Sequence, residues 1–143
     1  MPVLTFSKSQ LGAIYWVEVG PSIVAASRGG PTPVTQLQRV EMLLDTGAEQ
    51  TVLDEALLIG WGLLYTSAGW ATTMNATKPV RSYEVILKLG DPEVGCLTFD
   101  PLTVMARSDP FVGARYSGLL GRDVLDLCYF VYDGPGHTCI LRF

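Results

Sequence analysis

The sequence predicts an all-β fold with one short helix. Runs rich in aromatic and β-branched residues recur along the chain, and turn residues separate them at short intervals. Only 121–128 combines an opening glycine with helical spacing of apolar residues.

The elements come in order along the chain. "AIYWVEVG" (13–20) suits a strand and stops at Gly20-Pro21. "PSIVAASRGGPTPVTQ" (21–36) carries three prolines and a Gly-Gly pair, so a long loop is expected over 20–38. "LQRVEMLLD" (37–45) alternates, with Val40, Met42 and Leu44 on one face and Arg39 and Glu41 on the other. That period of two predicts a strand delivering Asp45 at its end. "DEALLIGWGLL" (54–64) allows a helical turn that Gly60 and Gly62 stop. "ATTM" (71–74) and "PVRSYEVILKLG" (79–90) predict a hairpin with its tip within 74–78. "CLTFDPLTVMA" (96–106) reads as extended and "SDPFVGARYS" (108–117) as a loop. "GRDVLDLC" (121–128) is the helix candidate, with Val124, Leu125, Leu127 and Cys128 able to share a face. Asp123 near its start complements the helix dipole. The last residues, "YFVYDGPGHTCILRF", predict two strands joined by a turn at 133–136.

Composition bounds the function. The 143 residues fit one domain, 1–143, and 48% hydrophobic against 17% charged residues argues for a globule with a core. Net charge is −4, pI is about 4.8, and no basic stripe marks a nucleic-acid footprint. No apolar run reaches the roughly 18 residues of a membrane span, so no membrane partner is expected. The apolar stretch 11–17 meets Glu18, which makes a poor signal peptide, and a cytoplasmic location is the expectation. Three cysteines without Cys-x-x-Cys spacing and a single histidine, His137, argue against a zinc site or a disulfide framework. His137 is expected in a surface turn, Trp61 and Trp70 in core or rim packing, and Cys128 as a small buried hydrophobe. The sequon Asn75-Ala76-Thr77 reads as chance.

The chemistry concentrates at Asp45-Thr46-Gly47, where an apolar strand runs directly into an acid, a hydroxyl and a glycine. Alone the triplet is weak, since roughly a few per cent of chains this long carry it by composition. Here it is followed by Ala48 and, shortly after, by Thr51-Val52-Leu53. About 70 residues further on, Leu119-Leu120-Gly121-Arg122-Asp123 opens the helix. Together these residues resemble the retropepsins, the single-domain aspartic proteases of retroviruses and their bacterial and cellular relatives. "LLDTGAEQTVL" looks like the active-site loop and "GLLGRDVL" like the second signature before the C-terminal helix. "VRSYEVILKLG" resembles the return strand of the flap, and "TCILRF" the C-terminal interface strand.

The resemblance, which spans about 13–143, implies a closed or partly open β-barrel of the acid-protease type, homodimeric, hydrolysing peptide bonds with neither metal nor cofactor. Such chemistry needs two carboxylates sharing one proton across a bound water. This chain has a single Asp-Thr-Gly and no Asp-Ser-Gly, so the second carboxylate must come from another copy, placing Asp45 near a two-fold axis. Gly47 lets the backbone turn and Ala48 leaves room for a peptide beside the carboxylate. By resemblance, Thr46 hydrogen-bonds its symmetry mate across the axis. Glu49 stands where retroviral enzymes usually carry Asp, and a contact between Glu49 and Arg122 is expected, with Gly121 beside it. Val52, Met74 and Leu119, together with Glu49, are the expected substrate-binding residues. The flap departs from the viral pattern because "TTMNATK" has no glycine; loop 20–38 and the hairpin after the helix are longer than in the viral enzymes and look more like bacterial or cellular members. Two other readings stay open: a retropepsin-like dimer that binds peptide without cleaving it, and a monomeric barrel in which the triplet is coincidental.

Overall fold

The computed structural model describes residues 1–23, 36–72, 74–109 and 115–143. Alternation is the force that shapes it. In β3 (Gln38–Leu44), Val40, Met42 and Leu44 are buried while Arg39 and Glu41 face solvent, as their period of two requires. β3 pairs antiparallel with β2 (Ile14–Pro21), which sets Val17 opposite Val40 and Tyr15 opposite Met42. The same logic runs through β6 (Thr77–Asp91) and β7 (Gly95–Arg107), where Tyr83 faces Val104 and Val85 faces Leu102.

These strands close into a ring. The order is β2–β3–β8–β4–β7–β6, with β4 (Val52–Asp54) and β8 (Gly118–Leu120) short, and β6 pairs back onto β2 over residues 85–88. β6 pairs with β7 over 81–91, with a register shift between Val85 and Leu87, and with β2 over 85–88. Inside the ring lie Val17, Met42, Leu53, Leu87, Val104 and Leu120, all without exposed surface. Fully burying such a side chain contributes about 1.5–3 kcal/mol each. β5 (Ser67–Thr72) pairs only with the outer part of β6 and stands as an arm of the ring.

A second sheet, β1–β10–β9, lies outside the ring. The two C-terminal strands expected from the sequence form here as β9 (Tyr129–Asp133) and β10 (Thr138–Arg142), and β1 (Val3–Ser7) adds to β10. Leu4, Cys139 and Leu141 bury one face of it, while Val3, Tyr129 and Tyr132 stay exposed.

Several expectations change. Among the described residues two short helices, α1 (Glu55–Gly60) and α2 (Arg122–Leu125), are found where one C-terminal helix was expected. α1 ends at Gly60 as its glycines suggested, but Leu58 without exposed surface and nearly buried Trp61 dock it firmly on the core. Leu127 is 60% exposed and does not share the buried face of Val124 and Leu125, because α2 ends at Leu125. Cys128 is half-buried, and that burial pushes its thiol above the usual range. The hairpin's ladder already begins at Thr77, so Thr77 and Lys78 belong to strand β6 rather than to the tip. The expected loops at 20–38 and 108–117 fall largely on residues outside those described. Among the described residues no helix is long and apolar enough to cross a membrane.

Because the ring is filled from both sides, Leu87→Ala should leave a cavity that neighbouring strands cannot collapse into. Chemical denaturation should show a loss of about 2–5 kcal/mol in unfolding free energy. A loss below about 1 kcal/mol would contradict this packing.

Candidate active site

β3 ends at Leu44, and Asp45 is the first residue of the tight turn beyond it. Its backbone N–H donates to the carbonyl of Leu120 (3.0 Å), and its own carbonyl accepts from the N–H of Ala48 (3.1 Å). The Gly47 N–H donates to Asp45 Oδ1 at 2.9 Å, which fixes the carboxylate's rotation. A Cβ on Gly47 would stand 3.1 Å from that same oxygen, so a side chain there would crowd the carboxylate. Asp45 Oδ2 has no hydrogen-bond partner among the described residues, and the side chain is partly open to solvent. The result is one oriented carboxylate with one oxygen left over.

The turn is held from beneath by the second signature. β8 runs parallel to β3, with Leu119 beside Leu43, and antiparallel to β4, with Leu119 opposite Val52. Two strands that do not pair with each other are thereby joined through three residues. Directly after β8, Gly121 passes so close to Gln50 that a Cβ there would lie 2.5 Å from its carbonyl carbon. The Arg122 N–H donates to Ala48 O (2.8 Å) and its guanidinium Nη1 to Thr46 O (3.0 Å). The carboxylate of Asp123 accepts from Thr51 twice, from its N–H (2.9 Å) and from its hydroxyl (2.7 Å), and the Thr51 hydroxyl accepts from the Gly121 N–H (3.2 Å). Thr51 has no exposed surface, so this network is shielded from competing water.

The structure thus brings Asp45, Thr46, Gly47, Ala48, Gly121 and Arg122 together. It does not form the expected Glu49–Arg122 contact. The Arg122 guanidinium instead donates to the Thr46 carbonyl, and Glu49 is exposed. Asp123, assigned from the sequence only to the helix dipole, is the residue that clamps the loop. An isolated Asp offers no cue of this; the nearest cue is Thr51, a hydroxyl placed directly before the apolar Val52 and Leu53.

A cleft of about 440 Å³ lies between the β5–β6 arm and the ring. Val52 and Leu119, both expected to bind substrate, line it, and Met105 joins them because it pairs with Val52 in β7. Ala71, Lys78 and Val80 line it from the arm. Met74 is fully exposed at the arm's end and Glu49 is exposed on the active-site loop, and neither lines the cleft. His137 is exposed in its turn, Trp61 is core, and Trp70 is 73% exposed on the arm. At the cleft's outer end Lys78 Nζ meets Asp109 Oδ2 at 2.9 Å. That hydrogen bond, the Lys78 charge and, more weakly, Arg107 hold the Asp109 carboxyl below its ordinary range.

Thr51→Val keeps the shape but removes the hydroxyl that Asp123 and Gly121 share. It should lower unfolding free energy by about 1–3 kcal/mol, since buried partners are left unsatisfied. Thermal or chemical denaturation checks it, and an unchanged midpoint would contradict the clamp.

No family model matches the sequence, and no curated protein matches it. Solved structures do match. One is the crystal structure of a retropepsin-like aspartic protease from Rickettsia conorii, similar over 99% of this chain and 90% of that one, with a TM-score of 0.59 at 14% identity. The chain therefore has the fold of a retropepsin-like aspartic protease.

Proposed function

We propose that the protein is an aspartic endopeptidase whose active site forms between two copies of the chain, each supplying one Asp45. The observation that carries this reading is the oriented carboxylate with one unused oxygen, set at a strand end on this fold. One carboxylate cannot both take a proton from water and give one to the scissile carbonyl oxygen. Two that meet across a symmetry axis can, because their like charges cannot both ionise cheaply and one proton stays on the pair. The aspartic-protease dyad is the type case of that splitting.

In the dimer, the charged Asp45 takes a proton from a bound water as its oxygen attacks the peptide carbon. The protonated one donates a hydrogen bond to the carbonyl oxygen and polarises it. The two Thr46 side chains bond across the axis and hold the loops in register. Val52 and Leu119 receive apolar side chains of a peptide that binds extended between the arm and the ring floor. The arm acts as the flap that closes over it and excludes water. The sequence supplies no glycine in residues 74–76 at the arm's end, which favours a second reading: a dimer that binds peptide without cleaving it.

Hydrolysis of casein or a peptide library separates the two. The wild type should cleave, most rapidly at acid to mildly acidic pH. Rates should fall as pH rises, because the dyad then loses its shared proton. Asp45→Asn should lower the rate roughly 10²–10⁴-fold, the usual worth of a positioned acid–base group. Sedimentation should show both proteins as dimers. Cleavage retained in Asp45→Asn would sink the mechanism, and binding without cleavage by the wild type would establish the second reading.

A further inference from the structure

The β5–β6 arm is attached to the ring in an uneven way. The β6–β7 ladder begins at Arg81 opposite Ala106, and beyond it, toward Thr77, β6 pairs only with β5. Arg81 is therefore the root of the arm. It is pinned there: its Nε donates to Glu55 Oε2 at 3.0 Å, its Nη2 reaches Glu55 Oε1, and the guanidinium lies over the Tyr65 ring at 5.2 Å. Glu55 is 6% exposed, so the root sits on a buried anchor in α1.

Farther out, the picture changes. Lys78 is three residues beyond the root, about 10 Å along an extended strand. Its ammonium meets Asp109, which lies just past β7 on the opposite wall of the cleft. Both side chains are more than 60% exposed, at 61% and 64%. Lys78 lies on the same face of the arm as Ala71, its cross-strand partner, and both line the cleft. An ion pair in that position acts at the end of a lever hinged at Arg81. It contributes little to global stability, as exposed pairs generally do, yet it bears directly on whether the arm is down or lifted. Arm opening breaks no ring ladder, so a small bias at its end is enough to shift the balance.

We propose that Lys78 and Asp109 are positioning residues: their ion pair latches the β5–β6 arm against the wall of the cleft and sets how often the cleft opens. The proposal rests on reading the cleft as the peptide channel, and it makes the cleft's accessibility depend on ionic strength. Raising salt from about 10 mM to about 1 M shortens the screening length from roughly 30 to 3 Å, which weakens the exposed pair more than the Glu55–Arg81 anchor, whose carboxylate is buried while its guanidinium side chain is 45% exposed.

Amide hydrogen exchange on the full-length Asp45→Asn protein tests this without requiring turnover, so a protein with no protease activity still returns a clear answer. Asp109→Asn in that background should speed exchange in 67–72 and 77–80 roughly two- to fivefold, the range expected for an exposed pair. Exchange in β3 should stay the same. High salt should produce a similar rise in the parent and no further rise in Asp109→Asn. The reversed pair, Lys78→Asp with Asp109→Lys, should restore slow exchange. Exchange in the arm that ignores both salt and Asp109→Asn would overturn the latch. So would a rise spread equally over β3, or a reversed pair that behaves like the single variant.

Discussion

Three residues, Gly118 to Leu120, fill the space between β3 and β4, and the candidate site hangs from them. β3 and β4 have no ladder with each other; β8 gives each a partner, parallel on one side and antiparallel on the other. The chain between β3 and β4 must then cross the end of β8, and that crossing is the turn holding Asp45. Residues 121–123, leaving β8, lie under the crossing for the same reason. Leu120 accepts from Asp45, Arg122 donates to Ala48 from its backbone and to Thr46 from its side chain, and Asp123 takes both donors of Thr51. A carboxylate on an ordinary surface turn would swing freely. This one is oriented by a frame of backbone and buried bonds, the kind of support that positions a reacting group within a fraction of an ångström.

The arm obeys a different physics. Its root carries a carboxylate that is nearly buried and matched by a guanidinium, whereas its outer part is held by charges that water reaches easily. Burial of the Glu55 carboxylate makes the root less sensitive to salt than the outer contact, where both side chains are exposed. The arm is thus held more firmly at its root than at its end.

Much of this architecture was legible in the sequence, for identifiable reasons. Val40, Met42 and Leu44 alternate without interruption, so β3 and the delivery of Asp45 could be read directly. The pairing of the Asp-Thr-Gly loop with Leu119–Asp123 carried the fold class, because both halves are local and chemically distinctive. β1 went unread, since five residues of mixed polarity at the chain's start carry no period and gain their partner only from β10. β8 was read as the approach to a helix, because three residues are too few to show alternation. Arg122 was paired with Glu49 by resemblance, while the fold gives its guanidinium the Thr46 carbonyl. Glu55–Arg81 and Lys78–Asp109 join residues 26 and 31 positions apart, contacts created by register and invisible to any local pattern.

Catalysis as proposed requires two Asp45 side chains from two chains in one functional unit. A co-refolding titration tests that requirement most directly. A fixed amount of wild type is refolded with increasing amounts of Asp45→Asn protein, and peptide hydrolysis is measured. If each site needs a carboxylate from both copies, mixed dimers are dead, and activity at equal amounts falls to about half and then toward zero as random pairing in a two-fold assembly requires. Activity that stays constant whatever the excess of Asp45→Asn would show that a single chain carries the complete site, and the two-chain mechanism would be wrong.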